Sequence, residues 1–268
     1  MQFSRSIFIL AMCVLLPASA GAQDDQKSDG AANTGQDVTN PVQRIDLRLG
    51  YANLAHGLAS STFILRYDKP INLGDGWTLG LRFDAPFVYN DVPSLDNPTG
   101  SWEFGYGDTL TQALLIKSID KRQAIGFGAQ LIMPTATEDQ FGSGRWRVVP
   151  TFGYRYALPE ITPGSFFVGA VRYDTDFAGD DDRGPVSNLQ FSPTLNIALP
   201  DQMFLTLFPS TDIRYDFIAN DWFVPFNAQI GKLWGKSTVT SFEFGVPIYE
   251  GDAPLYQFKA EGRVGIFF

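Results

Sequence analysis

Residues 255–268 read LYQFKAEGRVGIFF, and the alternation within this stretch decides the fold. Every even position from 256 to 268 carries an apolar or small side chain, whereas Lys259, Glu261 and Arg263 stand at odd positions. Successive side chains of a β-strand point to opposite faces, so one face of this strand is apolar and the other is charged. A strand of a soluble sheet has the same pattern, and the rest of the chain decides between the two settings.

Similar strands recur in series along the chain. Period-two stretches between turn signals predict twelve strands, near residues 44–51, 58–68, 76–88, 107–118, 122–133, 145–157, 164–176, 188–199, 203–217, 222–234, 237–249 and 255–268. Serial amphipathic strands are typical of outer-membrane proteins. We therefore predict an all-β fold, a transmembrane antiparallel up-and-down β-barrel of about 12 strands formed by residues 43–268.

Connector lengths agree with this topology, because a barrel with both termini in the periplasm alternates short inner turns with long outer loops. The long connectors fall on the outer side, at 89–106, 134–144 and 177–187. Three other outer connectors are short, at 52–57, 218–221 and 250–254. Counts of ten and fourteen strands therefore stay open.

The amino end has the three parts of a secretory signal peptide: Arg5, an apolar run over residues 7–16, and small residues at 20–22. The apolar run is too short to span a bilayer of about 30 Å. We expect residues 1–22 to be cleaved and the protein to be exported to the bacterial outer membrane. Residues 23–42 are polar and lack periodicity, which predicts a flexible periplasmic tail rather than a plug.

Composition excludes several classes of function. The formal net charge of −9 argues against nucleic acid as a partner, since nucleic-acid binders present basic surfaces. The only cysteine, Cys13, lies in the predicted signal peptide, so we expect no thiol ligand in the mature chain. We expect neither a metal site nor a cofactor.

The face opposite the apolar one carries charges of both signs, and we predict that it lines the lumen. The candidate lumen-lining residues are Arg48, Arg66, Arg82, Arg172, Arg214, Glu243, Lys259, Glu261 and Arg263. A nearly balanced set of charges favours ladders of ion pairs, in which arginine forks bind carboxylates of neighbouring strands. Such a lumen indicates a polar channel or pocket for a small solute. The alternative is a closed structural or surface-interaction barrel packed with ion pairs.

Aromatic residues and prolines lead to further predictions about the rims, the lumen and the continuity of the strands. We expect Tyr256 in an aromatic belt at the outer rim, and Phe268 in the belt at the periplasmic rim. Four apolar side chains are predicted to narrow the lumen, those of Phe204, Phe208, Phe223 and Leu233. Prolines such as Pro209 and Pro225 count against continuous strands, because proline lacks the ladder donor, and they mark bulges or breaks.

A lipid-modifying enzyme is the weaker rival. The single histidine, His56, lies near Ser60 and Ser61, but no Asn or Asp stands beside it to orient a catalytic base. We therefore predict no enzyme and no catalytic residues. The acidic run at 180–182 is interpreted as a solvated loop, with a divalent cation bridging to lipopolysaccharide as the alternative.

Two stretches resemble a known family. They are GYGDT at 105–109 followed by QAL at 112–114, and GFGAQLIMPTAT at 126–137 followed by FGSGRW at 141–146. They are similar to outer-membrane barrels labelled as transporters of the meta-pathway of phenol degradation, some relatives of which carry the label neuromedin U. The resemblance implies an outer-membrane channel or transporter, with hydrophobic or aromatic compounds as a class of solute, and implies no catalytic residues.

Likeness to such barrels also implies partners. The protein would contact outer-membrane lipid and lipopolysaccharide, and a small-molecule solute would pass through it. The barrel-assembly machinery would bind it during insertion, reading a signal that includes Phe268.

Overall fold

The computed structural model describes residues 33–252 and 254–268. The predicted signal peptide, residues 1–22, and the first part of the predicted tail, residues 23–32, lie outside the described residues. Within the described part, no helix is long and apolar enough to cross a membrane.

The described residues form fourteen β-strands. They are β1 (Arg44–Asn53), β2 (Ala59–Gly74), β3 (Trp77–Asn90), β4 (Glu103–Tyr106), β5 (Thr109–Ser118), β6 (Gln123–Met133), β7 (Arg145–Ala157), β8 (Phe166–Gly179), β9 (Ser187–Ala198), β10 (Met203–Leu207), β11 (Ile213–Asp216), β12 (Asp221–Trp234), β13 (Thr238–Glu250) and β14 (Phe258–Phe267). Three single turns of 3-10 helix, Ala55–Gly57, Asp139–Phe141 and Pro200–Gln202, lie in connectors.

The strands close into one antiparallel barrel, because β1 pairs with β2 on one side and with β14 on the other. The short strand β4 and the longer β5 both pair with β3 and share one position in the wall. In the same way β10 and β11 both pair with β9 and β12. The barrel therefore has twelve strand positions, and the predicted all-β fold is confirmed.

The strand β4 lies within the predicted outer connector 89–106, and two predicted strands differ most from their limits. β2 continues to Gly74, past the predicted end at residue 68, and turns into β3 through residues 75–76. The stretch predicted as one strand over 203–217 is broken at residues 208–212, which we call the inward loop. There Phe208 has a positive φ of 51° and Pro209 lacks a ladder donor, and either feature interrupts regular pairing.

Connectors differ in length between the two ends of the barrel. At the end that holds Arg44 and Phe267, the terminal end, most are short, such as 75–76 and 235–237, and the longest is 158–165. At the opposite end, the loop end, they include 91–102, 134–144 and 180–186. This is the alternation that the sequence predicts.

The outer wall is apolar and exposed. Large apolar side chains project from every part of it, among them Leu47, Leu65, Phe83, Phe127, Phe152, Val171, Ile230, Phe242, Val264 and Ile266. Monomeric soluble proteins rarely expose a continuous apolar surface of this extent, whereas a barrel in lipid presents such a band.

The N-terminal segment, residues 33–42, contacts the barrel in the structure, whereas its composition predicts a flexible tail. It crosses the terminal end of the barrel, where Asp37 pairs with Arg155 Nε of β7 at 2.9 Å and Gly35 accepts a hydrogen bond from Arg44 of β1. Asp37 also accepts from the amide and hydroxyl of Thr39, and Val42 is buried. Since β1 and β7 lie on opposite sides of the ring, the segment covers the mouth between them.

A charge placed on the outer wall tests its setting. Val171 lies outward near the middle of β8, 42% exposed, and Val171→Arg should cost about 2–4 kcal/mol of unfolding free energy in a bilayer. Phe177→Arg, outward near the loop end of the same strand, should cost about 0–1 kcal/mol because the interface solvates the charge. Denaturant unfolding in lipid vesicles measures both, and equal costs would contradict a membrane-embedded wall.

Candidate functional site

The inner wall is polar, and its charged side chains form three clusters. The first lies on β14, β1, β2 and β3. Its centre is Asp46, 0% exposed, whose carboxylate lies 3.0 Å from Arg263 Nε and 3.3 Å from Arg44 Nε. Arg48 binds Glu261 at 2.9 Å and reaches Asp46 at 4.0 Å. One carboxylate thus faces three guanidinium groups.

The same cluster continues onto β2 and β3. Asp68 bridges two arginines, accepting from Arg44 Nε at 2.7 Å and from Arg82 Nε at 2.8 Å. Arg66 donates through both arms of its fork to Asp84, at 2.7 and 2.6 Å. Paired bonds of this kind fix direction as well as charge, so these side chains are held against the wall.

The second cluster is built around Lys259 of β14. Its ammonium contacts Asp212 at 2.5 Å and Glu243 at 2.9 Å, and donates to Ser210 at 2.9 Å. Ser210 and Asp212 belong to the inward loop, which therefore reaches from its own wall position to β13 and β14. The loop narrows the lumen at this level.

Tyr256 completes the second cluster. Its hydroxyl donates to Asp212 Oδ2 at 2.8 Å and accepts from Asn227 Nδ2 at 3.1 Å, and its ring packs on Phe223 with centroids 5.1 Å apart. The side chain is 4% exposed, so it lies in the interior and not in the predicted outer belt. The prediction placed it outward because it continues the even-numbered face, but β14 begins only at Phe258.

The third cluster lies on β7 and β8. Arg147 donates from both arms to Asp174, with a distance of 2.9 Å from Nε to Oδ1. Arg145 lies 3.6 Å from Asp176 nearer the loop end. The residues follow one another along the same inward face of the two strands.

Two inward arginines stand apart from these clusters. Within residues 33–252 and 254–268, neither Arg172 nor Arg214 has a carboxylate within 4.0 Å. This sets them apart from Arg48 and Arg263, which also have a buried Nε atom without a hydrogen-bond partner but lie beside carboxylates. Arg172 Nη1 makes one long bond, to Thr211 Oγ1 of the inward loop, at 3.3 Å.

All nine candidate lumen-lining residues lie on the inner wall, in two clusters and one unpaired set. Arg48, Arg66, Arg82, Glu261 and Arg263 belong to the first cluster, and Glu243 and Lys259 to the second. The inward direction of Asp212 also follows from the strand alternation, and the structure adds Ser210 and Tyr256. The break in the strand at Pro209 could have pointed to Ser210.

Three of the four apolar residues predicted to narrow the lumen do so. Phe204 and Leu233 pack with Val239 and Phe267 at the terminal end, and Phe223 is buried beside Tyr256. Phe208 was wrongly predicted: its ring contacts Phe226, which lies on the outward face of β12. The left-handed backbone at Phe208 reverses the direction that alternation predicts.

Removing the central carboxylate tests the first cluster. Asp46→Asn should lower the free energy of unfolding by about 3–5 kcal/mol, because it leaves the buried guanidinium of Arg263 without its counter-charge. Glu160→Gln is the matched control at the exposed pair with Arg122, where water solvates both groups and the loss should be much smaller. Urea unfolding in vesicles measures both, and a loss at Asp46 no larger than at Glu160 would contradict the cluster's structural role.

Solved barrels share this architecture. The COG4313 outer membrane channel from Pseudomonas putida F1 superimposes with a TM-score of 0.61 and 18% identity, covering 85% of this chain and 96% of that chain. The KdgM porin gives a TM-score of 0.49 at 12% identity, covering 84% of this chain and 99% of that one. An active-site mutant of outer membrane phospholipase A from Escherichia coli gives 0.48 at 13% identity, covering 91% of this chain and 98% of that one. The likeness to the Pseudomonas putida channel, at 18% identity, concerns the fold.

A family model covers most of the barrel. The family described as "Putative MetA-pathway of phenol degradation" matches residues 30–216, and this range contains both stretches of motif similarity. A comparison with curated protein sequences finds no match.

Proposed function

We propose that this protein, which belongs to the family described as "Putative MetA-pathway of phenol degradation", is an outer-membrane channel for small solutes. The observation that carries the proposal is the inverted polarity of a closed barrel, apolar outside and charged inside. An apolar wall suits lipid, and a wall of charged and hydrogen-bonding groups replaces part of a solute's hydration shell.

The orientation follows from the connectors. Outer-membrane barrels keep their short turns in the periplasm, so we assign the terminal end to the periplasm and the longer connectors of the loop end to the outer surface, which faces lipopolysaccharide. Phe268, stacked on Tyr67 at 6.4 Å, then lies at the periplasmic rim, where the barrel-assembly machinery would read it. The predicted signal peptide agrees with this export route.

The limited space inside the lumen favours a small solute. Twelve strands enclose less space than the sixteen to eighteen of open porins. The inward loop and the N-terminal segment reduce that space further. Aromatic compounds are the class that the family's description suggests, and we include them in the proposal.

A closed barrel without transport is the second candidate. The N-terminal segment favours it, because ion pairing to β7 and packing at the terminal end hold the segment across the mouth. A lipid-modifying enzyme has less support: His56 lies in an exposed turn at the loop end, apart from the polar clusters of the lumen.

Conductance separates these candidates. The refolded full chain in planar bilayers should produce discrete current steps in KCl, and liposomes that contain it should admit small neutral aromatic solutes. Absence of both current and flux, in protein whose folding is shown by heat-dependent migration on gels, would overturn the channel proposal in favour of the closed barrel.

Deletion of the N-terminal segment tests its role as an obstruction. A variant lacking residues 33–42 should conduct more per open channel than the full chain, because the terminal mouth loses the cover that spans it. Asp37→Asn should give a smaller increase, since it removes only the pair with Arg155. Deletion of residues 23–32 alone is the matched control, and single-channel recordings compare all three. Equal conductance of the 33–42 deletion and the full chain would contradict the assignment.

A further inference from the structure

We propose that Arg172 and Arg214, with Gln190 between them, bind the carboxylate of a small organic anion inside the lumen. The proposal rests on the proposed channel function and names the class of solute that such a channel selects. It begins from register: Arg172 of β8 pairs with Gln190 of β9, and Gln190 pairs in turn with Arg214 of β11. Cross-strand partners share a face, so the three side chains form one inward row.

The dimensions of this row suit a carboxylate. Neighbouring strands lie about 4.8 Å apart, so the backbones of Arg172 and Arg214 are separated by about 10 Å. Two long side chains that converge across this gap can each present part of a planar fork to the same anion. The amide of Gln190 lies between them, and its one hydrogen bond, to Asp174 at 3.4 Å, is long.

Arg172 is a cation without a protein counter-charge among the described residues. The charged groups that act on it across the lumen are Arg66 and Arg82, both of like sign. Those two are already neutralised by Asp84 and Asp68. This half-buried guanidinium inside the barrel lacks the pairing that charges with reduced hydration require, and an anionic ligand would supply it.

Arg214 has three carboxylates in its vicinity, and each is engaged elsewhere. Asp174 is held by both arms of Arg147, and Asp212 by Lys259 and Tyr256. Asp216 accepts the backbone amides of Ile218 and Ala219, at 2.8 and 3.1 Å. The guanidinium of Arg214 therefore keeps free donors on the lumen side.

The inward loop connects this row with the second cluster. Thr211 accepts from Arg172, whereas the residues on either side of it, Ser210 and Asp212, bind Lys259. The unpaired cations thus stand where the loop narrows the lumen. A solute that passes the loop must pass them, which is the position at which a site controls selectivity.

Benzoate is the probe, and benzyl alcohol is the uncharged control of similar size. Binding is measured by titration calorimetry on the refolded full chain in detergent, and block of KCl current is measured in planar bilayers. Benzoate should bind and block at lower concentration than benzyl alcohol. Arg172→Gln and Arg214→Gln should each weaken benzoate binding by about ten-fold, as expected for one charged hydrogen bond. Arg172→Lys should lie between, since it keeps the charge and loses the fork.

Arg122→Gln removes an exposed arginine outside the lumen and should leave benzoate binding unchanged. Heat-dependent gel migration establishes that each variant is folded. Two results would overturn the anion site and leave the channel proposal intact. In the first, the protein conducts current but binds benzoate no more tightly than benzyl alcohol. In the second, it conducts current and the wild type and Arg172→Gln bind benzoate equally well. Benzoate binding that depends on Arg172 in a protein that conducts no current would support the site and overturn the channel.

Discussion

The ladder between β1 and β14 is the constraint on which the rest of the structure depends. It runs from the pair Arg44 and Phe267 to the pair Asn53 and Phe258, and it joins the first strand of the barrel to the last. A sheet that closes on itself has no open edge, so each of the twelve wall positions has a neighbour on both sides, as β1 has in β2 and β14. Closure also divides the alternating side chains into an outer and an inner set.

The inner set of side chains includes charged groups, so enclosing it has a desolvation cost that a hydrophobic core does not have. Charged groups enclosed by a wall lose hydration, and pairing offsets that cost only where geometry is good. The first cluster meets this condition by placing Asp46 among three arginines and by giving Arg66 a two-bond contact with Asp84. The row of Arg172 and Arg214 does not meet it from protein groups alone.

Most of the barrel could be predicted from the sequence because strand alternation has a period of two and few competing explanations. The apolar residues of β13 and β14 and the charged residues between them settle the two faces directly. What could not be predicted depends on contacts between distant segments. Tyr256 has the parity of a lipid-facing residue but lies before the strand starts, and its hydroxyl finds Asp212.

The contacts of the N-terminal segment also could not be predicted from its own sequence. Its composition is that of a chain too polar to fold by burying apolar surface. Two polar contacts, from Asp37 to Arg155 and from Gly35 to Arg44, hold it nevertheless, and both partners are supplied by the barrel. Composition describes what a segment can do alone. It does not describe the surface that another part of the chain presents to it.

The inward loop has a consequence for how such a barrel can diversify. β9 and β12 pair with β10 on the terminal-end side of the inward loop and with β11 on its loop-end side. The wall is therefore closed on both sides of the inward loop. The amide of Phe208 still donates to the carbonyl of Asn227 on β12, whereas the backbone of residues 209–212 lies outside the ladder. The register of the strands is therefore set by other residues, and these four positions are the part of the inner wall where chemistry can differ most while the scaffold stays the same.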